Sequence, residues 1–458
     1  MRVFMLGWEF PPSISGGLGT ACYGLTKALS RRDVGVIFVL PHAIDPNHSS
    51  HVRLLSPSNL YRDDASAGNG NGNGNGGGHQ LTDELATRVA GLYKDRPEFA
   101  NVTFRSVPSR IVSPYPSGIG EEFDAPASAE ELARTRRLGA IVPDVPTGHY
   151  HGDLLADATR YAGLCVDLAR SEQFDVIHAH DWLTYPAGMA VAAVTGKPLV
   201  VHVHATEFDR SGENVFQPVY DIERRGMHGA MRVICVSYLT RSIIEHRYGV
   251  DPEKIDVVYN GVENDGANGQ PRTGIARGDK IVLFLGRITM QKGPEYFIGA
   301  AKKVLEKYQN VKFVMAGSGD KIGDIIQMAA AAGIGQKVLF TGFLRGKDVQ
   351  RVFEMADVYV MPSVSEPFGI APLEAIRHDV PVIISKTSGV AEVLTHALKV
   401  DFWDTHDIAN KIIAVLRHPP LSNTLREHAD FESRRLTWDD AARKCEEVYE
   451  HTQQVMSV

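Results

Sequence analysis

Short apolar runs separated by helical patterns repeat along the chain. In the first half they are Val3-Phe-Met-Leu, Val34-Gly-Val-Ile-Phe-Val-Leu, Phe174-Asp-Val-Ile-His, Pro198-Leu-Val-Val-His-Val-His and Arg232-Val-Ile-Cys-Val. Gly17 to Ser30 reads as helix, and Ser237 is placed to cap another. The runs do not alternate polar with apolar residues, so they predict strands buried on both faces, hence a parallel sheet covered by helices. From Gly261 to Gly278 the composition shifts to Gly, Asn, Asp, Pro and Arg without an apolar period, as in an interdomain linker. The pattern then restarts with Lys280-Ile-Val-Leu-Phe-Leu-Gly, Val311-Lys-Phe-Val-Met-Ala-Gly, Lys337-Val-Leu-Phe-Thr-Gly, Asp357-Val-Tyr-Val-Met and Val380-Pro-Val-Ile-Ile. These predict five strands of a second doubly wound sheet. Trp438, Ala442, Cys445 and Val448 recur at helical spacing behind Thr437, a capping residue, and predict a closing amphipathic helix.

A chain of 458 residues exceeds what one hydrophobic core serves, which agrees with two domains. The formal charge of −7 offers no general attraction to nucleic acid or to an anionic membrane. Cys22, Cys165, Cys235 and Cys445 are widely spaced in segments that read as helix or buried strand, unlike a disulfide framework. Glu9 comes too early for a signal peptide, and no run approaches the roughly 18 apolar residues of a spanning helix, so a cytoplasmic location is expected. The Asn-Gly tract within residues 66–79 cannot bury apolar surface and reads as a surface insertion.

The most informative stretch is Glu366-Pro-Phe-Gly-Ile-Ala-Pro-Leu-Glu374, two carboxylates around a Pro-Phe-Gly turn that follows a strand and opens a helix. In an open α/β sheet that loop lines the ligand crevice. Free N–H groups near Gly369 and Ile370 suit a phosphate, and the carboxylates suit sugar or ribose hydroxyls. Arg287 and Lys292 sit past the first strand of the second sheet, where Arg287 can fork two phosphate oxygens and Lys292 adds a mobile charge. Ser15-Gly16-Gly17-Leu18-Gly19 is either a structural turn or a ligand loop. The pairs His178/His180 and His202/His204 end two strands and admit a metal site, a neutral hydrogen-bonding role at a cleft, or burial satisfied by backbone.

Assembled in order, Gly16-Gly17-Leu18-Gly19, His178-Ala-His180-Asp181-Trp182, His202-Val-His204-Ala-Thr-Glu207, Gly286-Arg287 with Lys292-Gly293, Ala316-Gly317-Ser318-Gly319, the Glu366/Glu374 pair and Ser388-Gly389-Val390-Ala-Glu392 resemble the retaining nucleotide-sugar glycosyltransferases of family 4, in their bacterial glycogen and starch synthase-like branch. The resemblance implies a GT-B fold: a Rossmann-like acceptor-side domain over 1–264, a Rossmann-like donor domain over 265–434, and a helix over 435–458 packing back on the first domain. It implies that Arg287 and Lys292 hold the diphosphate and that Glu374 holds the ribose. Glu366 and the backbone of Phe368, Gly369 and Ile370 would meet the transferred sugar. His204 would lie beside that sugar, with Asp181 on the acceptor side. Gly16 and Gly17 would close on the diphosphate, and Gly317, Ser318, Gly319 and Phe343 would lie around the nucleobase.

The implied reaction is transfer of a hexose, glucose first, from ADP- or UDP-glucose to an α-glucan or related acceptor. The sequence contains no Asp-x-Asp, so Arg287 and Lys292 are expected to do what a divalent cation does elsewhere, with no metal or cofactor required. A lysine usual before the Gly-Gly pair is replaced by Ile14, which leaves the nucleobase open. Other acceptors for the same chemistry are a small sugar, a phosphosugar or an envelope glycolipid; homo-oligomerisation also stays open. A membrane acceptor would favour a basic amphipathic face, of which Arg134-Thr-Arg136-Arg137 is the one short cluster. From another class, the four histidines could serve a metal-dependent hydrolase.

Overall fold

A computed structural model describes residues 1–11, 16–43, 97–109, 154–262 and 278–457. The Asn-Gly tract, the Arg134 cluster, Ile14, Ser15 and most of the linker lie outside the described residues.

The chain folds around two parallel sheets. The first has seven strands in the order β3-β2-β1-β4-β5-β6-β7, with β1 Arg2–Leu6, β2 Gly35–Ala43, β3 Val102–Ser109, β4 Val176–His180, β5 Leu199–Val203, β6 Arg232–Cys235 and β7 Ile255–Val257. The second has six in the order β10-β9-β8-β11-β12-β13, with β8 Lys280–Leu285, β9 Val311–Ala316, β10 Val338–Gly342, β11 Val358–Met361, β12 Val382–Ser385 and β13 Leu398–Val400. Helices such as Gly17–Arg31, Leu154–Ala169 and Pro294–Lys307 bury apolar faces against the sheets. β3, β7 and β13 were not anticipated from sequence: each lies on the edge of its sheet, β7 and β13 span three residues, and β3 ends in Pro108 and Ser109.

Each sheet is wound outward in both directions from its first strand. The order therefore reverses between β1 and β4 in one sheet and between β8 and β11 in the other, and at such switch points the loops leave a crevice beyond the strand ends.

The two halves are joined by specific contacts. Ser237, which caps the helix Tyr238–Tyr248, donates to the Pro367 carbonyl oxygen at 2.6 Å. The Glu392 carboxylate accepts from the N–H of Tyr238 and Leu239 at 3.0 and 2.7 Å and from the Tyr259 hydroxyl at 3.0 Å. An anion at a helix start satisfies open donors and the positive dipole end. A Cβ on Gly389 would lie 2.2 Å from the Pro367 oxygen and 2.5 Å from the Ser237 Cβ, so glycine is required for this approach.

The helix Trp438–Met456 returns to the first sheet, where Trp438, Ala442, Cys445 and Tyr449 share a core with Val3, Met5, Cys22 and Leu25. Thr437 caps it by accepting from the Asp440 N–H at 3.1 Å. A Cβ on Gly24 would sit 2.2 Å from the Trp438 ring. Trp438→Ala is expected to destabilise the protein by about 3–5 kcal/mol through the cavity it leaves, and Gly24→Ala by about 1–3 kcal/mol through overpacking. The double mutant should lose less than the sum, read as urea midpoints.

The first core also contains a polar seam. His178, His180 and His202 are buried between the strand ends, and burial lowers the His178 pKa to about 3. Such a group is protonated only in the unfolded chain below its ordinary 6.5, so its contribution is complete above that pH and is lost as the pH falls toward 3. The destabilisation caused by His178→Phe should accordingly shrink by about 2 kcal/mol between pH 7.5 and pH 5, measured by urea unfolding at both.

Candidate functional site

At the β8/β11 switch point the turn Met290–Lys292 docks on the loop after β11. Gly293 makes this possible: its φ is 63°, and a Cβ there would meet the Pro362 oxygen at 2.2 Å. Val364 N–H donates to the Gln291 oxygen at 2.9 Å. Lys292 is thereby carried onto Glu366, and the two form an ion pair although they are far apart in sequence. Ser363 adds a hydroxyl 3.5 Å from the same carboxylate oxygen. Arg287 lies alongside, its guanidinium 3.3 Å from the Gln291 side-chain oxygen.

The Pro-Phe-Gly turn is fixed by backbone. Glu366 N–H donates to Thr387 O at 3.0 Å, Gly389 N–H to Glu366 O at 2.9 Å and Val390 N–H to Phe368 O at 2.7 Å. Gly369 at φ 105° opens the helix Ile370–Arg377, whose first turn has no side-chain cap, so its first N–H groups are left without one. Glu374 lies one turn in. Burial raises its pKa to about 7, and no hydrogen bond or ion pair reaches its carboxylate among the described residues.

Gly317 and Gly319 have a reason within the fold: a Cβ on the first would lie 1.9 Å from Gly286 O, and on the second 2.3 Å from Ile288 O. Ser318 O accepts from Ile288 N–H at 2.8 Å, which ties this loop to the Arg287 segment. Phe343 is half exposed at the end of β10, with the Arg345 guanidinium 5.1 Å from its ring centroid.

Across the crevice, Asp181 follows β4 with φ 58°, and its Oδ1 accepts from the N–H of His204 and Ala205 at 2.7 and 3.3 Å. Burial raises this carboxyl to about 7. His204 Nε2 shares a hydrogen bond of 2.9 Å with His180 Nδ1, and burial lowers the His204 pKa to about 3, so it is neutral. The helix Glu207–Ser211 touches the Met290–Lys292 turn, and Ser365 donates to Asp209 Oδ1 at 2.5 Å. The crevices of the two sheets therefore face one another. Gly16 and Gly17 open the first helix at this mouth, and Gly17 is exposed with nothing within 4 Å of a Cβ position.

His178, His180 and His202 offer nitrogens within 4.8 Å of one another, close enough for one ion. Several are already paired: His178 Nδ1 with the Tyr449 hydroxyl at 2.6 Å, and His178 Nε2 with His202 Nδ1 at 3.2 Å. Sequence reasoning missed Glu9, which is buried at the β1 exit beside Gly16. Its signal was an acidic residue three positions past the first apolar strand.

Comparison with known proteins agrees with this geometry. Residues 268–430 match the model for glycosyl transferases group 1, residues 119–265 that for glycosyltransferase family 4, and residues 2–67 the starch synthase catalytic domain. An uncharacterised glycosyltransferase of Methanocaldococcus jannaschii is 30% identical over 100% of both chains. Glycogen synthase of Mycobacterium tuberculosis is 26% identical over 98% of this chain and 94% of its own. Among solved structures, Anabaena HepE in complex with UDP-glucose superposes with a TM-score of 0.64 at 16% identity, covering 98% of this chain and 100% of that one. The two facing switch-point crevices are thus those of a GT-B fold, and the chain belongs to the glycosyltransferases.

Proposed function

We propose that the protein is a retaining hexosyltransferase that moves glucose from ADP- or UDP-glucose to an α-glucan or related sugar acceptor in the cytoplasm. The observation that carries this reading is the convergence of Arg287, Lys292 and Glu366 at the second switch point, with a partnerless Glu374 one helical turn away. Anabaena HepE, which shares the fold, binds UDP-glucose, and this supports a nucleotide sugar here.

Arg287 and Lys292 take the diphosphate and stabilise its charge as the C1–O bond breaks, an electrostatic contribution that grows toward the transition state. Glu374 accepts from the ribose hydroxyls. Glu366, the N–H groups at Gly369 and Ile370 and His204 orient the hexose. Retention without a second displacement places the acceptor on the departing face: its oxygen bonds to C1, and its proton passes to the leaving phosphate. Glu366 is a poor candidate for a covalent nucleophile, because its carboxylate is engaged by Lys292.

Screening ADP-, UDP- and GDP-sugars for hydrolysis and then adding glycogen, maltose or glucose tests the reading directly. Activity abolished by EDTA and restored by zinc would favour the hydrolase on the histidine cluster instead. Arg287→Ala and Lys292→Ala are each expected to lower kcat about 100-fold or more while circular dichroism stays native. A wild-type kcat in either removes the diphosphate assignment. Glu374→Ala should instead raise the donor KM about tenfold with kcat largely kept, and an unchanged donor KM would discard the ribose contact.

A further inference from the structure

His204 and Glu366, the two side chains assigned to the hexose, stand on opposite halves of the chain, and a short series of hydrogen bonds joins the segments that carry them. On the first half the segment is His204 to Arg210. Asp181 holds its start, with Oδ1 accepting from the N–H of His204 and Ala205 at 2.7 and 3.3 Å. A reciprocal cap holds its end. The Thr206 N–H and hydroxyl donate to Asp209 Oδ2 at 2.7 and 2.8 Å, and the Thr206 oxygen accepts from the Asp209 N–H at 3.4 Å. The Arg210 guanidinium, paired with Glu207 and Glu223, also donates to the Ala205 oxygen at 3.3 Å. Thr206 and Asp209 are 0% and 2% exposed, so buried bonds within the first half fix this stretch of backbone.

The cap occupies Asp209 Oδ2, and Asp209 Oδ1 accepts from Ser365 of the other half at 2.5 Å. Two residues further, the Pro367 oxygen accepts from the hydroxyls of Ser237 and Thr240 at 2.6 and 3.4 Å, both from the first half. Glu366 is the residue between these anchors, so the first half grips the chain on both sides of it. The second half holds the same loop through Val364 N–H to Gln291 O at 2.9 Å and Glu366 N–H to Thr387 O at 3.0 Å, and it engages the Glu366 carboxylate through Lys292. Glu366 is thus placed jointly by the two halves. The groups assigned to the nucleotide differ in this respect: Arg287 follows β8 and Glu374 lies in the helix Ile370–Arg377, both parts of the second half.

We propose that Asp209 and Ser365 are positioning residues whose hydrogen bond sets Glu366 in register with His204; this rests on the hexosyl-transfer reading above. Neither residue touches the donor. The bond makes orientation of the hexose depend on both halves, while the nucleotide is held by one. A displacement of about 1 Å in an orienting group can cost about a hundredfold in rate, and this slip is felt at the reacting sugar and not at the nucleoside diphosphate.

The test uses the full chain with UDP-glucose and ADP-glucose as donors, glycogen and maltose as acceptors, and calorimetry of UDP and ADP binding. Ser365→Ala is expected to lower kcat about tenfold to a hundredfold while the nucleotide Kd stays within about twofold of wild type, which also shows that the variant is folded. Asp209→Ala should lower kcat as well, with some loss of stability because the cap goes too. In that background Ser365→Ala should change kcat by less than about twofold, because its partner is already gone. Wild-type kcat in Ser365→Ala overturns the proposal. A nucleotide Kd that rises in step with the fall in kcat also overturns it, as do losses that multiply in the double variant. If the wild type neither binds nor turns over either donor, the transfer reading itself falls and takes this proposal with it, a result distinct from the three that overturn the register alone.

Discussion

The rest of the structure depends on a topological constraint: each parallel sheet is wound in both directions from its own first strand. Strands buried on both faces leave no room for chemistry within the sheet, so polar function is pushed to the loops at the strand ends. The reversals between β1 and β4 and between β8 and β11 part those loops. The contacts of Ser237 and Glu392 with the opposite half then hold the two openings toward each other. Glycines at 293, 317, 319 and 389 stand where backbone from two loops meets too closely for a Cβ. What resembles a ligand-binding glycine pattern is in these places a requirement of loop packing.

The crevice brings opposite charges together: Arg287 and Lys292 beside Glu366 and Glu374 on the second sheet, and Glu9 and Asp181 on the first. The Lys292–Glu366 pair is largely shielded from water, and taking two charges out of water is offset only when both stay satisfied. Removing either partner therefore leaves an uncompensated charge as well as a missing contact. In the proposed reaction a donor diphosphate beside this pair meets a Lys292 already largely shielded from water and held in place, so little reorganisation is needed when charge develops on the leaving group.

Much of this was legible in the chain, for definite reasons. Non-alternating apolar runs gave ten of the strands, because burial on both faces writes itself into consecutive residues. The edge strands β3, β7 and β13 escaped because they are short or end in turn-forming residues, and their pairing is supplied by neighbours. The loop position of Glu366 and the helical position of Glu374 followed from local pattern alone. Their environments did not: the Lys292–Glu366 ion pair and the His180–His204 bond join residues whose proximity exists only after the sheets form. Glu9 was legible only as a charge. Its burial and the approach of Gly16 to its carboxylate exist only once the chain is folded.

The histidine array bears on the proposed chemistry through its charge state. An oxocarbenium-like centre gathers positive charge at C1, and a protonated imidazole beside it would oppose that charge. Burial of His204 depresses its pKa to about 3, so at neutral pH the ring is an uncharged hydrogen-bonding group. The bond between His180 Nδ1 and His204 Nε2 fixes the ring's orientation, and in the proposed reaction its other nitrogen meets a sugar hydroxyl. The clustering that first suggests a metal site has a different consequence here. A charge on His204 disfavours protonation of His178, His180 and His202 behind it. Burial is what keeps the ring at the crevice neutral, which is the state that the proposed transfer through a developing cation requires.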